Sequence, residues 1–252
     1  MGHALITAGT SGLGRQVIQS FLEAGHRVTT TYHRNPERAR EVREELASYS
    51  HLLHIEQADV TKKEDLNKLI NRAVEYHGGI DYLINNAGPF VFERKKLLDY
   101  SEDEWDEMIN GNLDAVFYLL KLTVPYMRRQ RFGRIVNYGF QGANNASGWM
   151  YRSAFAAAKS GLASLTKTIA FEEAENQITS NMVCPGNITG KMKEAGIVDS
   201  RRVENDKTPI GRPGTGEDIA RMILFLCDED SDMITGSVFE ITGGVDVINR
   251  YR

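Results

Sequence analysis

The chain has 252 residues, 41% hydrophobic and 25% charged, with a formal net charge of −4. This is the composition of an ordinary globular protein that buries a substantial core, with one domain over 1–252 as the leading count. Without a surplus of Lys and Arg nothing draws it to nucleic acid or an anionic bilayer, and Cys184 and Cys227, far apart in apolar runs, suit neither a disulfide framework nor a thiolate metal site and fit a reducing, cytoplasmic setting.

The opening Met1–Ile6 lacks the basic region and long apolar core of a secretory signal, Ile6 stands where a myristoyl signal needs Ser or Thr, and no stretch is apolar for long enough to span a bilayer. No membrane partner is expected. Short β-rich runs at roughly 3–8, 27–32, 52–57, 80–84, 134–138, 178–183 and 237–241 alternate with longer segments of helical periodicity. Each return to a parallel neighbour needs a crossover helix, so the alternation predicts an α/β fold, a doubly wound, parallel, seven-stranded sheet. Pro36 suits the first turn of the second helix, and Thr61-x-x-Glu64 and Ser101-x-x-Glu104 read as capping boxes.

After the first strand comes Thr7-Ala8-Gly9-Thr10-Ser11-Gly12-Leu13-Gly14, and then a helical pattern through Val17, Ile18, Phe21 and Leu22. Glycines let backbone approach a pyrophosphate, and the helix N-terminus offers unpaired amides and the positive end of a dipole, so this placement points to a dinucleotide. The end of the second strand reads Thr31-Tyr32-His33-Arg34. With no carboxylate there to repel a 2′-phosphate and Arg34 able to pair with one, NADP(H) is the expected cofactor, the alternative being that Arg34 is a solvated charge.

Thr7, Gly12 and Gly14 follow a Thr-Gly-x-x-x-Gly-x-Gly pattern in which Ala8 replaces the first glycine. Downstream stand Asp59-Val60, Asn85-Asn86-Ala87-Gly88, Asn112, Lys159, Pro185-Gly186-Asn187-Ile188-Thr189, Ile234-Thr235-Gly236 and Gly243-Gly244. In this order and spacing the chain resembles the short-chain dehydrogenase/reductase family over essentially its whole length. The resemblance implies a Rossmann fold. It implies cofactor contacts from Thr7, Gly9, Thr10, Ser11, Gly12, Leu13, Gly14, Tyr32, His33, Arg34, Asp59, Val60, Asn86, Ala87, Gly88, Lys159, Pro185, Gly186, Ile188 and Thr189, with Asp59 and Val60 at the adenine. It also implies a homotetramer that pairs the helices spanning about 102–129 and 151–175 across subunits.

The family's proton relay places a Tyr four residues before the Lys, a Ser at the end of strand five and an Asn in the preceding helix. A lysine one turn away favours the phenolate, and the phenol donates to the substrate oxygen while hydride arrives from the nicotinamide. In this chain Asn112 and Lys159 match, but the Tyr position is Phe155 and the Ser position is Phe140. A shifted alignment would bring Ser147 or Ser153 to the serine role; none brings a tyrosine to that spacing. Tyr151, two helical turns before Lys159 and on roughly the same face, is the candidate substitute acid or, alternatively, a pocket wall together with Trp149.

These features lead to an NADP(H)-dependent oxidoreductase that reduces a small-molecule carbonyl or acyl substrate, similar to the 3-oxoacyl-[acyl-carrier-protein] reductases. Two alternatives stay open: an enoyl-type reductase, and a catalytically degenerate NADP(H)-binding protein acting as a sensor or assembly subunit. Arg128, Arg129 and Arg131 form a basic patch of the kind an acidic carrier needs, or simply complement a helix C-terminus, while Glu172, Glu173 and Glu175 make the next helix end acidic. Substrate identity is expected in residues 89–100 and 187–211, beyond the carboxyl ends of the strands.

Overall fold

The structure is a computed structural model; it describes residues 1–90 and 93–248. Positions 91 and 92, inside the expected substrate region 89–100, and 249–252 lie outside the described residues. Seven strands, β1 (His3–Ile6), β2 (Arg27–Tyr32), β3 (Leu53–Gln57), β4 (Tyr82–Asn85), β5 (Gly133–Tyr138), β6 (Ile178–Pro185) and β7 (Val238–Ile241), form one sheet in the order β3-β2-β1-β4-β5-β6-β7. Every pairing is parallel, for example Ile6 with Ile84 and Asn85 with Asn137. This is the doubly wound arrangement the alternation predicts. The strand order reverses between β1 and β4, and the crevice that opens at the carboxyl ends of strands flanking such a reversal is where ligands bind.

Helices cover both faces. On one side α1 (Gly12–Glu23), α2 (Pro36–Glu45) and α8 (Gly216–Cys227) bury Val17, Ile18, Phe21, Val42, Ile219 and Ile223. On the other, α3 (Lys63–His77), α5 (Ala115–Gln130) and α6 (Ser153–Glu172) bury Leu66, Leu69, Leu119, Leu120 and Leu162. The strands therefore read as near-continuous apolar runs, because both faces are covered. The remaining α-helices among the described residues are α4 (Glu102–Ile109) and the single-turn α7 (Ile197–Ser200). No helix is long and apolar enough to cross a membrane, among the described residues.

Helix starts follow local chemistry, with one correction. Ser101 accepts from the Glu104 amide and the Glu104 carboxylate accepts from the Ser101 amide, the full capping box. Pro36 occupies the first turn of α2, where its missing N–H costs nothing, and Asn35 caps it by accepting from the Arg38 amide. Thr61 does not cap α3. Its hydroxyl turns back to Asp59 Oδ1 at 2.7 Å, and the helix starts one residue later, after an uncapped Lys62. A nearby carboxylate acceptor outcompetes the orphan amides for that hydroxyl.

The three arginines near the end of α5 also have local partners. Arg128 donates to the Glu173 carboxylate, with Nε to Oε2 at 2.8 Å, Arg131 donates to the Glu175 carbonyl, and Arg129 lies over the Tyr126 ring. Glu173 is buried, and the Arg128 guanidinium beside it holds its carboxyl below the usual range. Arg128 and Arg131 tie the end of α5 to the end of α6, and all three arginines stay exposed.

Candidate active site

The loops after β1 and β4 are tied into one unit. Thr7 Oγ1 accepts from the Ala87 amide at 2.9 Å, and the Asn86 side chain donates to the Thr7 and Ala8 carbonyls at 2.9 and 3.1 Å. The Ala8 and Gly9 amides donate to Thr31 and Thr30 on β2. Ala8 sits at φ +53°, in the left-handed region where a glycine is unstrained, which explains why glycine suits this position better. Gly14 is obligatory on contact grounds, since a Cβ there would come within 2.6 Å of the Ala8 carbonyl and the Asn86 amide nitrogen.

A cavity of about 610 Å³ runs from this loop to the far end of the crevice. It gathers Ser11, Gly12, Leu13, Asn86, Ala87 and Gly88 at one end, Asn112, Lys159, Phe140, Phe155 and Tyr151 deeper in, and Pro185, Gly186, Ile188 and Thr189 along one wall. Thr7, Gly9, Thr10 and Gly14 are the buried residues of the loop and shape it without lining the cavity. Tyr32, His33, Arg34, Asp59 and Val60 also lie outside this cavity, Tyr32 at the carboxyl end of β2 and the others beyond the carboxyl ends of β2 and β3. There the Tyr32 carbonyl accepts from the Ala58 amide, and His33 Nε2 is 3.3 Å from Asp59 Oδ2. Burial alone would raise the Asp59 pKa, but the Thr61 hydroxyl and amide, with His33, bring it below the ordinary value. Arg34 is exposed.

Asn112 is placed by a π-helical turn, Asn110–Asp114, between α4 and α5. Such wide turns cluster at functional sites because they re-aim a side chain without ending the helix. The Asn112 amide donates to the carbonyls of Pro89 and Met108, each at 3.0 Å, leaving its buried Oδ1 with no partner among the described residues. An unpartnered buried acceptor at the cavity is consistent with a ligand or water completing it.

Lys159 is on α6, buried, with Nζ 5.6 Å from the centroid of the Phe155 ring. Burial lowers its pKa to about 8, and Cys184 opposes this slightly. Around it stands an aromatic wall: Phe140 stacks on Trp149 at 5.4 Å, Phe90 meets Phe155 edge-on at 5.0 Å, and Trp149 is 6.1 Å from Phe155. Neither Ser147 nor Ser153 lines the cavity.

Tyr151 reaches the cavity by a different route from the one its spacing implies. It lies before α6, which starts at Ser153, and takes φ +66°, so it shares no helix face with Lys159. Tyr100 donates to its carbonyl at 3.3 Å, and the Arg94 guanidinium lies 4.8 Å over its ring. The sequence also left Tyr138 unremarked. This residue ends β5 and lines the cavity, and its buried hydroxyl has no partner among the described residues; burial raises its pKa. Its place at a strand's carboxyl end beside the crevice is the signal that could have marked it.

A glycine-bearing loop shaped for a phosphate, a crevice at the strand reversal and a buried lysine at its depth define a dinucleotide-dependent oxidoreductase site, and the chain belongs to the short-chain dehydrogenase/reductase family. A family model described as "Enoyl-(Acyl carrier protein) reductase" matches residues 7–246. The "Putative oxidoreductase YtkK" of Bacillus subtilis (strain 168) is 58% identical over 99% of this chain and 98% of its own length. The "3-oxoacyl-[acyl-carrier-protein] reductase FabG" of Staphylococcus epidermidis (strain ATCC 35984) is 33% identical over 96% and 98%. A solved structure described as a "putative 3-oxoacyl-reductase" from Bacillus thuringiensis superimposes with a TM-score of 0.93 at 61% identity, covering 98% of this chain and 99% of that one. The family fold implies an NAD(P)(H) site.

Proposed function

We propose that the chain is one NADP(H)-binding domain that reduces a carbonyl, similar to the 3-oxoacyl reductases, through an active site in which Phe155 and Phe140 stand at the family's Tyr and Ser positions. The observation that carries this reading is the cavity in which buried Lys159 and Asn112 remain while both adjoining positions present phenyl rings. NADP(H) is favoured because Tyr32-His33-Arg34 offers no carboxylate to a 2′-phosphate, and the nearest acid, Asp59, faces His33.

When bound, the nicotinamide cofactor would supply the hydride for the substrate carbon. Lys159 would hold the cofactor ribose and keep positive charge near the developing oxyanion, and Asn112 would anchor the floor of the site through its turn. The proton would come from Tyr151, which lines the cavity, or from water. Losing a positioned general acid costs roughly 10²- to 10⁴-fold in rate, which slows such a site without abolishing hydride transfer.

A second reading, reduction of an activated carbon–carbon double bond, is favoured by the matched family model and by the apolar wall of Phe90, Phe140, Trp149 and Phe155, which suits an unsaturated acyl group. Measured NADPH consumption across carbonyl and enoyl panels, with direct cofactor binding alongside, decides. Turnover with carbonyls supports the first reading and turnover with enoyl substrates alone the second. Tight NADPH binding with no turnover on either panel replaces both with a nucleotide-binding role.

A further inference from the structure

Residue 194 follows β6 by nine positions, yet its carboxylate sits on the phosphate loop. Glu194 Oε1 accepts from the Gly12 amide at 2.7 Å, at the start of α1, and Oε2 accepts from Arg38 Nη2 of α2 at 2.8 Å. The backbone there is seated too. The Glu194 carbonyl accepts from the Gln16 side chain at 2.6 Å, and the Lys193 carbonyl presses against Gly216, where any Cβ would collide with it. Arg38 also pairs with Glu41 and Glu45 of its own helix, at 3.0 and 2.8 Å, and Glu45 in turn holds buried Arg15 at 3.0 Å. Glu194 is the one carboxylate of this cluster that comes from across the crevice.

We propose that the Glu194 carboxylate is an internal stand-in for the cofactor's 2′-phosphate, held by the Gly12 amide and Arg38 and displaced when NADP(H) binds. The inference rests on the reading of the loop as an NADP(H) site and extends it in two ways. It names Arg38, and not only Arg34, as a residue that recognises the phosphate, and it makes Glu194 a competitor for the same donors. The competition is physical. Gly12 has one N–H, so it serves the carboxylate or the phosphate and not both. Gly12 opens α1 and lines the cavity, and Arg38 is in the first turn of α2, which follows the end of β2 at Tyr32, the place where a 2′-phosphate is expected. That position selects the 2′-phosphate over the nicotinamide end.

A latched state that outweighs the open state weakens observed binding by the same factor. For a partly exposed carboxylate pair the expected factor is about threefold to tenfold. The test is a titration of the parent, Glu194→Gln, Glu194→Ala and Arg38→Met with NADPH, NADH, 2′,5′-ADP and 5′-AMP, read by calorimetry. The two Glu194 variants are expected to bind NADPH and 2′,5′-ADP about threefold to tenfold more tightly, with NADH and 5′-AMP changed less than about twofold. Arg38→Met is expected to weaken NADPH about tenfold and leave NADH nearly unchanged. Equal gains for NADPH and NADH would overturn the assignment to the 2′-phosphate, and no gain in either Glu194 variant would make the contact purely structural. A parent that binds NADH as tightly as NADPH overturns the NADP(H) reading and this inference with it. A parent that prefers NADPH while the Glu194 variants gain nothing overturns this inference alone.

Discussion

Lys159 Nζ lies 5.6 Å from the centre of the Phe155 ring, one helical turn earlier on α6. A tyrosine at 155 would put a phenol against a buried cation; the phenylalanine leaves the cation facing a ring without a proton to give. Phe155→Tyr is therefore expected to raise carbonyl reduction, by about tenfold to a hundredfold, since a positioned general acid contributes that much or more. Initial rates at saturating NADPH check this. A lower rate in Phe155→Tyr would show that another group carries the proton, and Tyr151→Phe would then decide whether Tyr151 is that group.

Phe140→Ser adds the second hydrogen bond to the oxyanion, but at a structural cost. Phe140 is 3% exposed and stacked on Trp149, so its truncation removes core contacts worth about 3–5 kcal/mol. The double variant Phe140→Ser with Phe155→Tyr is expected to exceed either single variant in rate, more than additively, because both groups grip one oxygen. It is also expected to melt earlier than Phe155→Tyr alone. A purely additive rate gain contradicts the shared-oxygen argument.

Cofactor choice offers a separate check at Arg34, which is exposed beyond β2. Arg34→Ala should narrow the preference for NADPH over NADH by about tenfold, as expected for one lost charge-assisted contact at a phosphate. Paired Kd measurements with both cofactors settle it, and an unchanged ratio would leave recognition to other residues.

The pH dependence of turnover follows from Lys159, whose pKa burial lowers to about 8. In the proposed reaction the cationic form would hold the ribose and face the oxyanion, so kcat/KM for reduction is expected to fall as pH rises through about 8. A profile flat to pH 10 would mean the lysine is not needed as a cation.

His3 gives a pH dependence of stability. Burial lowers its pKa to about 4, opposed by the Gly79 carbonyl and reinforced by His77, and its Nε2 is 2.9 Å from Thr29 Oγ1. The unfolded value is near 6.5, so between about 6.5 and 4 the unfolded chain binds the extra proton and stability falls as pH drops, by about 3 kcal/mol in all. Urea unfolding at pH 7 and 4.5 should show this loss in the parent and a smaller one in His3→Asn. Equal losses would place the acid sensitivity elsewhere.

The sequence made the framework legible where periodicity and local chemistry act alone. All seven strands fall at or within a few residues of their expected places, and Pro36 and Ser101 begin helices as their chemistry dictates. It failed where a residue had two available partners. Thr61 chose Asp59 over the α3 amides. Tyr151 shows that spacing to Lys159 carries geometry only if the helix reaches that far, and α6 begins two residues too late. Glu194 was invisible for a different reason. Its partners Gly12 and Arg38 stand more than a hundred and fifty residues away, and nothing local marks a carboxylate that will cross a crevice.

Ala8 has a consequence for how the loop meets its ligand. Holding an alanine at φ +53° costs about 1–2 kcal/mol of backbone strain, and the loop keeps that shape because Thr31 and Thr30 of β2 and Asn86 just after β4 grip it. Its curvature is thus imposed from outside, so an arriving nucleotide meets a rigid mould whose chain entropy was lost when the protein folded, and the heat of binding goes into the contacts themselves.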